Sequence, residues 1–204
     1  MAAALLLALA LWAPDAATSQ DPVDRILHQL RSVPGMQASF REEKRIALLS
    51  TPLVNEGTVH FAPPSRLARH TIRPRPSTLL IDGNRLVMGD ASDRREIDLA
   101  ASPVVRSFVD SFIGLLRGDR AALERTYRIV PHGLTAGRWS VTLRPKSGPV
   151  RRAIREIRAS GRGPAIEHLA VLERNGDVSE TTFTDIDTRR SYGAREIARI
   201  FRIP

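Results

Sequence analysis

The stretch from Glu56 to Asp90 constrains the fold more than any other part of the chain. Pro63-Pro64, the prolines at 74 and 76, and Asp82-Gly83-Asn84 divide it into four short extended segments. A proline pushes the residue before it out of the helical region. Asp-Gly is a strong hairpin signal, because a tight turn needs positive φ. Strands that follow one another without an intervening helix pair antiparallel, so the stretch predicts a four-stranded meander that the rest of the chain extends or covers.

An apolar helix is predicted directly after the meander, from Pro103 to Leu116. Pro103 fits a first helical turn, Ser102 is a candidate cap and Gly118 is a natural stop. Seven apolar side chains recur at helical spacing on one broad face: Val104, Val105, Phe108, Val109, Phe112, Leu115 and Leu116. A stripe this wide and aromatic predicts either a movable lid over an apolar cavity or an ordinary core helix.

The remaining segments are rich in predicted strands. An amphipathic helix capped by Asp21 comes first, and Asp119 is expected to cap a short helix through Leu123. The further predicted strands are Gln37–Ala47, Arg94–Leu99, Thr126–Leu134, Trp139–Arg144, Ala165–Glu173 and Asp177–Asp187. Two segments are ambiguous: Val150–Ala159 is interpreted as a strand although its apolar residues also fit helical spacing, and Ile197–Ile203 is a candidate closing strand that alternates imperfectly. About 10 or 11 antiparallel strands curl into a barrel or half-barrel. The predicted fold is therefore mainly β with helices, an incomplete and strongly curved antiparallel barrel covered by a helical lid.

The N-terminus has the pattern of an export signal. Ala2 to Trp12 is an apolar run of about 11 residues, too short to span a bilayer, and small residues follow Pro14. We expect a secretory signal peptide over residues 1–19, with cleavage near Ala17-Thr18-Ser19, and a single domain over residues 20–204. The alternative is a buried N-terminal helix. Because the chain has no cysteine, its fold depends on the core rather than on disulfides.

The net charge of +9 comes from 31 basic and 22 acidic residues, and the only lysines are Lys44 and Lys146. Such a balance suggests anionic partners, either nucleic acid or an anionic membrane surface. Arginine spread over every strand is also what a solvated sheet face produces. Nucleic acid is disfavoured as a partner, because aromatic residues make up only 5% of the chain and none studs a strand as base-stacking requires.

Catalytic motifs are scarce. The five histidines are scattered, and neither a His-Glu-x-x-His metal motif nor a Gly-x-Ser-x-Gly elbow occurs. Asp185-Ile186-Asp187-Thr188 resembles the aspartate pair of haloacid-dehalogenase-like phosphatases. In that family the pair follows the first strand of a doubly wound domain, for which no room remains here. We interpret it as a strand end and expect no enzymatic activity, no metal and no cofactor.

Four motifs, in this order, carry a resemblance to a known family. They are Gln37-Ala38-Ser39-Phe40 after the first helix, Gly57 to Pro64, the hairpin Leu79 to Leu86, and the apolar helix Pro103 to Leu116. Together they resemble the periplasmic outer-membrane lipoprotein carriers, the LolA-like proteins, over nearly the whole chain after the signal. The resemblance implies a curved incomplete barrel whose helices cover an apolar cavity for acyl chains.

The family resemblance also implies a role and a site. An exposed methylene costs about 0.8 kcal/mol, so a lipid tail that crosses an aqueous compartment needs a shielded pocket. The cavity and lid residues it implies are Phe61, Leu67, Leu80, Leu86, Met88, Val105, Phe108, Phe112, Leu115 and Leu116. Arg66 and Arg69 are expected at the cavity mouth. The implied protein is a soluble periplasmic monomer that receives an acylated lipoprotein, or an acyl or polyene lipid, from an inner-membrane exporter and delivers it to an outer-membrane acceptor.

One position departs from the family pattern. Members often carry an arginine directly before the proline of the strand-end motif, where this chain has Pro63 before Pro64. The cargo is therefore open between a lipoprotein and another lipid. The alternative function is a non-catalytic envelope interaction module of the same fold, with its core filled by its own side chains. Binding of an acyl probe separates the two hypotheses.

Overall fold

Eleven strands form one antiparallel sheet in the computed structural model, which describes residues 21–90 and 92–202. The strands are β1 (Met36–Arg45), β2 (Leu53–Ala62), β3 (Arg66–Arg73), β4 (Ser77–Asp82), β5 (Arg85–Gly89), β6 (Arg94–Asp98), β7 (Tyr127–Thr135), β8 (Arg138–Pro145), β9 (Ile154–Arg162), β10 (Ala165–Glu173) and β11 (Val178–Asp187). The helices are α1 (Pro22–Arg31), α2 (Pro103–Leu116), α3 (Arg120–Thr126), α4 (Gly148–Ala153) and α5 (Ala194–Ile200). The predicted signal peptide, residues 1–19, lies outside the described residues.

The pairing of β1 with β11 joins the two halves of the chain. The strand order is β6-β5-β4-β3-β2-β1-β11-β10-β9-β8-β7, so each half is a meander and the sheet stays open between β6 and β7. Phe40 stands opposite Phe183 in the central ladder. The prediction of an incomplete antiparallel barrel with ten or eleven strands is confirmed.

The turn chemistry fixes the hairpins as the sequence predicts. Gly83 has a φ of 58° between β4 and β5, and Gly176 has a φ of 95° between β10 and β11. These positive values are accessible to glycine without the steric cost that a Cβ brings. The four-stranded meander from β2 to β5 is confirmed, and each strand of it pairs with its neighbour in the sequence.

Helix α1 packs against the edge strand β7 and against α2 with an apolar stripe. Val23, Ile26, Leu27 and Leu30 are all buried in the main core. The helix begins where predicted, because the Val23 backbone N–H donates to Asp21 Oδ1 at 2.9 Å and so satisfies one of the free donors of the first turn. This bond and the nearby Arg120 hold the pKa of the Asp21 carboxyl below its usual range.

Gly118 lets α1 pack directly against the end of α2. It has a φ of 57°, and a Cβ placed on it would lie 2.0 Å from the Leu27 carbonyl oxygen. Arg120 then ties α3 to α1, with Nη1 at 2.7 Å from Asp21 and at 2.9 Å from Asp24. Asp119 caps α3 as predicted, by accepting from the Ala122 N–H at 2.9 Å. Ser102 precedes α2 but makes no side-chain capping bond.

The segment Val150–Ala159 is only partly the predicted strand. Gly148 to Ala153 form the short helix α4, and β9 begins at Ile154. Pro149 suits the first turn of a helix, and its fixed φ favours helical geometry there. The helical spacing of Val150 and Ile154 therefore reflects the short helix α4. The helix ends where β9 begins to pair with β8 and β10.

The predicted closing strand Ile197–Ile203 is wrong. Residues 194–200 form α5, and Ile203 lies outside the described residues. Ile200 packs in a second core with Ala68, Leu80 and Val87, on the outer face of the sheet. In helical geometry Ile197, Ile200 and Phe201 lie on one face. The helix therefore buries Ile200 and part of Phe201 against the apolar patch on the outer face of the sheet.

Candidate functional site

A cavity of about 470 Å³ lies between the concave face of the sheet and α2. Eight strands and one helix contribute its walls. Most of the lining is apolar and consists of Phe40, Val59, Leu67, Leu79, Ile81, Leu86, Val105, Phe108, Val109, Phe112, Ile157, Leu169, Val171 and Phe183. The volume falls within the range of about 300–1,000 Å³ typical of small-molecule sites.

Strand alternation gives the cavity its apolar walls. Successive side chains point to opposite faces, and the ladders place Leu67 opposite Ile81 and Ile81 opposite Leu86. Gly57 stands opposite Phe40 and pairs with β3. A Cβ on Gly57 would lie 1.9 Å from the His70 carbonyl oxygen, so only glycine allows this approach of β2 to β3.

Helix α2 roofs the cavity and is itself incompletely covered. Val109 and Ile113 are buried, but Phe108, which lines the cavity, keeps 40% of its surface exposed. Phe112 lies one turn further on, lines the same cavity and is half-buried. Near its end the helix contacts α3, since a Cβ on Gly114 would lie 3.5 Å from the Ala122 Cβ. The roof therefore has one anchored end and an aromatic row that reaches both cavity and solvent.

One end of the cavity is polar and internally neutralised. Arg69 donates to Glu42 at 2.7 Å and its guanidinium carbon lies 4.3 Å from the centroid of the Phe40 ring. Asn55 and Ser179 each donate to the same Glu42 carboxylate at 3.0 Å. Lys44 and Glu173 form a second pair at 3.4 Å. This end can offer both donors and acceptors to a polar group while the rest of the cavity remains apolar.

Six of the residues predicted for the site line this cavity. They are Leu67, Leu86, Val105, Phe108, Phe112 and, at the polar end, Arg69. They come from β3, β5 and α2, three of the five elements from which the sequence drew the site. The structure thus brings the meander and the apolar helix to one space.

The other predicted residues lie elsewhere. Phe61 and Leu116 line a separate depression of about 320 Å³ beside Pro63 and Pro64. Leu115 is buried in the main core, and Met88 packs against that core without lining the cavity. Leu80 lies on the outer face of the sheet. Arg66 forms an ion pair with Asp82 at 3.0 Å. Leu80 was misplaced because Leu79 and Leu80 are adjacent, and only the register decides which of them faces inward.

Most of the cavity lining escaped the sequence reasoning, including every residue that the second half of the sheet contributes. Ile157, Leu169, Val171 and Phe183 come from β9, β10 and β11. Alternation in the β10–β11 hairpin carried the necessary signal, since Leu169 and Val171 stand opposite Thr181 and Ser179. The sequence reasoning did not predict the pairing of β1 with β11. This pairing places the β10–β11 hairpin on the same sheet as the meander.

Potential metal ligands do not cluster within the part of the chain that the structure describes. No group of three or more potential metal-ligating side chains occurs among residues 21–90 and 92–202. Asp185 and Asp187 lie in the last residues of β11, are exposed, and Asp187 accepts from the Arg189 N–H at 2.9 Å. The interpretation of this tetrapeptide as a strand end is confirmed.

An open antiparallel sheet with a helical roof and an apolar cavity is also the expectation that the family resemblance raised. The sequence profile described as "Outer membrane lipoprotein carrier protein LolA-like" matches residues 14–196. The chain belongs to the LolA-like family. No curated protein sequence matches it.

Three solved structures resemble this LolA-like chain at low sequence identity. The MucA/MucB complex of Pseudomonas aeruginosa matches with a TM-score of 0.51 and 12% identity, over 86% of this chain and 58% of that one. A LolA superfamily protein of Nitrosomonas europaea matches with a TM-score of 0.47 and 12% identity, over 87% and 96% of the two chains. The lipoprotein LppX of Mycobacterium tuberculosis matches with a TM-score of 0.47 and 8% identity, over 84% and 96%.

None of the helices within the described residues has the length and apolar character needed to cross a bilayer.

Proposed function

We propose that this LolA-like protein is a non-catalytic, soluble periplasmic carrier that shields the acyl or otherwise hydrophobic part of a lipid cargo in the cavity beneath α2. The cargo is a lipoprotein or another lipid, taken from an inner-membrane exporter and delivered toward the outer membrane. The observation that carries the proposal is the apolar cavity of about 470 Å³ under a partly exposed aromatic roof. Family membership supports the same reading.

The energetics favour an apolar guest over an empty space. Burial of each methylene contributes about 0.8 kcal/mol, and the cavity walls offer van der Waals partners on the sheet side and the helix side. The polar end formed by Glu42, Lys44, Arg69 and Glu173 gives a place for the ester, amide or head group that joins the acyl chain to the rest of the cargo. In this proposal Arg69 is a mouth residue, whereas Arg66 acts only on the surface through Asp82.

Binding of a fluorescent fatty acid tests the proposal. Phe108→Glu places a carboxylate against the cavity, and we expect probe affinity to fall by about tenfold or more, since a charge next to the acyl chain must be desolvated. Ile72→Glu is the matched control, because Ile72 is 59% exposed on β3 and does not line the cavity.

If the protein is instead an interaction module whose core is filled by its own side chains, the unmodified protein should show no saturable binding of the fatty-acid probe. Equal probe affinity in the wild type, Phe108→Glu and Ile72→Glu proteins would place any binding outside the cavity and contradict the proposal.

A further inference from the structure

An exposed apolar tip projects from the sheet between β1 and β2. Leu48 is 94% exposed, Leu49 is 51% exposed and Leu53 is 47% exposed. These are three of the five large apolar side chains that are strongly exposed within the described residues. Exposed apolar residues that occur singly need no explanation, but a cluster of them on one loop indicates an interaction site.

Three arginines lie at the same end of the sheet. In the antiparallel order, the β1–β2, β8–β9 and β10–β11 connections all leave the sheet at one end. Arg151 and Arg152 lie in α4 and Arg174 follows β10, and the three line a shallow depression of about 550 Å³. Arg174 is fixed there, because its backbone N–H donates to the Ala153 carbonyl at 2.8 Å and its guanidinium donates to the Arg151 carbonyl.

The β10–β11 turn, which follows Arg174, contacts Ala47, the residue directly before Leu48. The Ala47 N–H donates to Asp177 Oδ1 at 3.0 Å, and a Cβ on Gly176 would lie 3.4 Å from the Ala47 Cβ. Among the described residues, Arg151, Arg152 and Arg174 take part in no ion pair within 4.0 Å, in contrast to Arg45 and Lys44 on β1. Their positive charge is therefore available to a partner.

The polar end of the cavity lies beside this surface. Lys44 stands opposite Leu53 in the β1–β2 ladder, and Glu173 directly precedes Arg174. The Lys44–Glu173 pair that closes the polar end thus lies between the leucine tip and the arginines.

We propose that the tip Leu48, Leu49 and Leu53, together with Arg151, Arg152 and Arg174, forms a docking surface for an anionic phospholipid bilayer. The arginines contact lipid phosphates, and the leucines enter the interface between head groups and acyl chains. A projecting loop tip suits a fluid bilayer better than a protein partner, because a specific protein interface needs about 800 Å² of complementary surface per partner. The role of this docking in loading the cavity rests on the proposed function, but the docking itself does not.

Sedimentation with lipid vesicles tests the docking surface. The unmodified protein is expected to bind vesicles of equal parts phosphatidylglycerol and phosphatidylcholine, to bind pure phosphatidylcholine vesicles much more weakly, and to lose affinity as salt is added. Leu48→Asp is expected to weaken binding to the mixed vesicles by about tenfold, while Leu48→Met retains it. Because Leu48 is almost fully exposed, neither change threatens the fold.

Charge reversal tests the arginines separately. Arg151→Glu with Arg152→Glu is expected to weaken vesicle binding by about twentyfold or more, since each arginine near an anionic surface contributes about a factor of five. Arg138→Glu with Arg162→Glu is the control, because these exposed residues flank turns at the opposite end of the sheet and the change in net charge is the same.

The docking proposal is overturned if the unmodified protein fails to bind the mixed vesicles, if Leu48→Asp and the Arg151/Arg152 variant bind as it does, or if the Arg138/Arg162 control is weakened equally. Phe108→Glu separates this result from the carrier hypothesis, since it should impair fatty-acid binding and leave vesicle binding unchanged.

Discussion

Gly118 holds the connection between α2 and α3 in a conformation that costs other residues about 1–2 kcal/mol. Its missing side chain also makes room for the Leu27 carbonyl oxygen, 2.0 Å from where a Cβ would lie. We expect Gly118→Ala to lower the free energy of unfolding by more than about 2 kcal/mol, because strain and steric overlap add. Urea unfolding measures the change.

Gly83→Ala provides the comparison for that experiment. Gly83 has nearly the same φ, 58°, but nothing lies within 4 Å of its Cβ position. Gly83→Ala should lower the free energy of unfolding by only about 1 kcal/mol. Equal losses for the two variants would show that the contact of α1 with Gly118 contributes nothing.

Two histidines on the outer face hold the C-terminal segment. His70 Nε2 donates to the Ile200 carbonyl at 2.9 Å, and His60 Nδ1 lies 3.1 Å from the Tyr192 hydroxyl, which donates to the Met36 carbonyl at 2.7 Å. Burial, and then the charges of His70, Arg190 and Arg199, lower the pKa of His60 to about 4. Burial also lowers the pKa of His70, partly offset by its bond to Ile200.

Because the folded protein binds these protons more weakly than the unfolded chain, stability should fall as pH falls. The stability is fully present above the unfolded pKa of about 6.5 and is lost progressively toward pH 4. We expect the melting temperature to decrease over this window, and His60→Gln to decrease less steeply than the unmodified protein. An identical slope in the variant would exclude His60 as a source.

At the scale of the element, α2 decides whether the cavity is a binding site or a packing defect. Phe112 lines the cavity and is half-buried, so Phe112→Ala should cost less than the about 3–5 kcal/mol of a fully packed phenylalanine. Affinity for the fluorescent fatty acid should fall by about tenfold. Ile113→Ala is the matched variant, because Ile113 is 7% exposed and does not line the cavity. Ile113→Ala should lower the free energy of unfolding by about 2–5 kcal/mol and leave the affinity for the fatty acid unchanged. A large loss of stability in Phe112→Ala with unchanged fatty-acid affinity would identify Phe112 as an ordinary core residue.

Gly114 weakens the same helix near its anchored end. An alanine Cβ there would make ordinary van der Waals contacts at 3.5 Å with Ala122 and Leu123. Gly114→Ala should therefore stabilise the protein by about 1 kcal/mol, from helix propensity alone. If α2 opens to admit cargo, stopped-flow release of the probe should slow. Faster release, or a loss of stability, would argue against a lid whose opening is helped by the flexibility of Gly114.

At the scale of the whole molecule, local sequence patterns predicted most strands, turns and helix caps. They did not predict which strands pair when the strands are far apart in the sequence. The meander from β2 to β5 and the caps at Asp21 and Asp119 follow from turn and cap chemistry that neighbouring residues determine. The β1–β11 ladder joins segments far apart in the chain, and nothing local specifies it. For that reason the sequence found some of the cavity residues of the meander and α2, but none of those of β9 to β11.

The second error has a different physical origin. Residues 197–203 were taken for a strand because their apolar residues alternate imperfectly, yet residues 194–200 form α5 on the outer face. The patch that they cover consists of Ala68, Leu80 and Val87, from three neighbouring strands. That patch exists only once the strands have paired, so tertiary packing decided between the two local alternatives.

The most direct test of the carrier hypothesis is native mass spectrometry of the protein purified from the compartment in which it accumulates. We expect a folded protein with one acyl-containing lipid bound, retained by the Ile72→Glu variant and lost by Phe108→Glu, because only Phe108 lines the cavity. Folded protein without any acyl-containing ligand, or a lipid retained equally by both variants, would contradict the account.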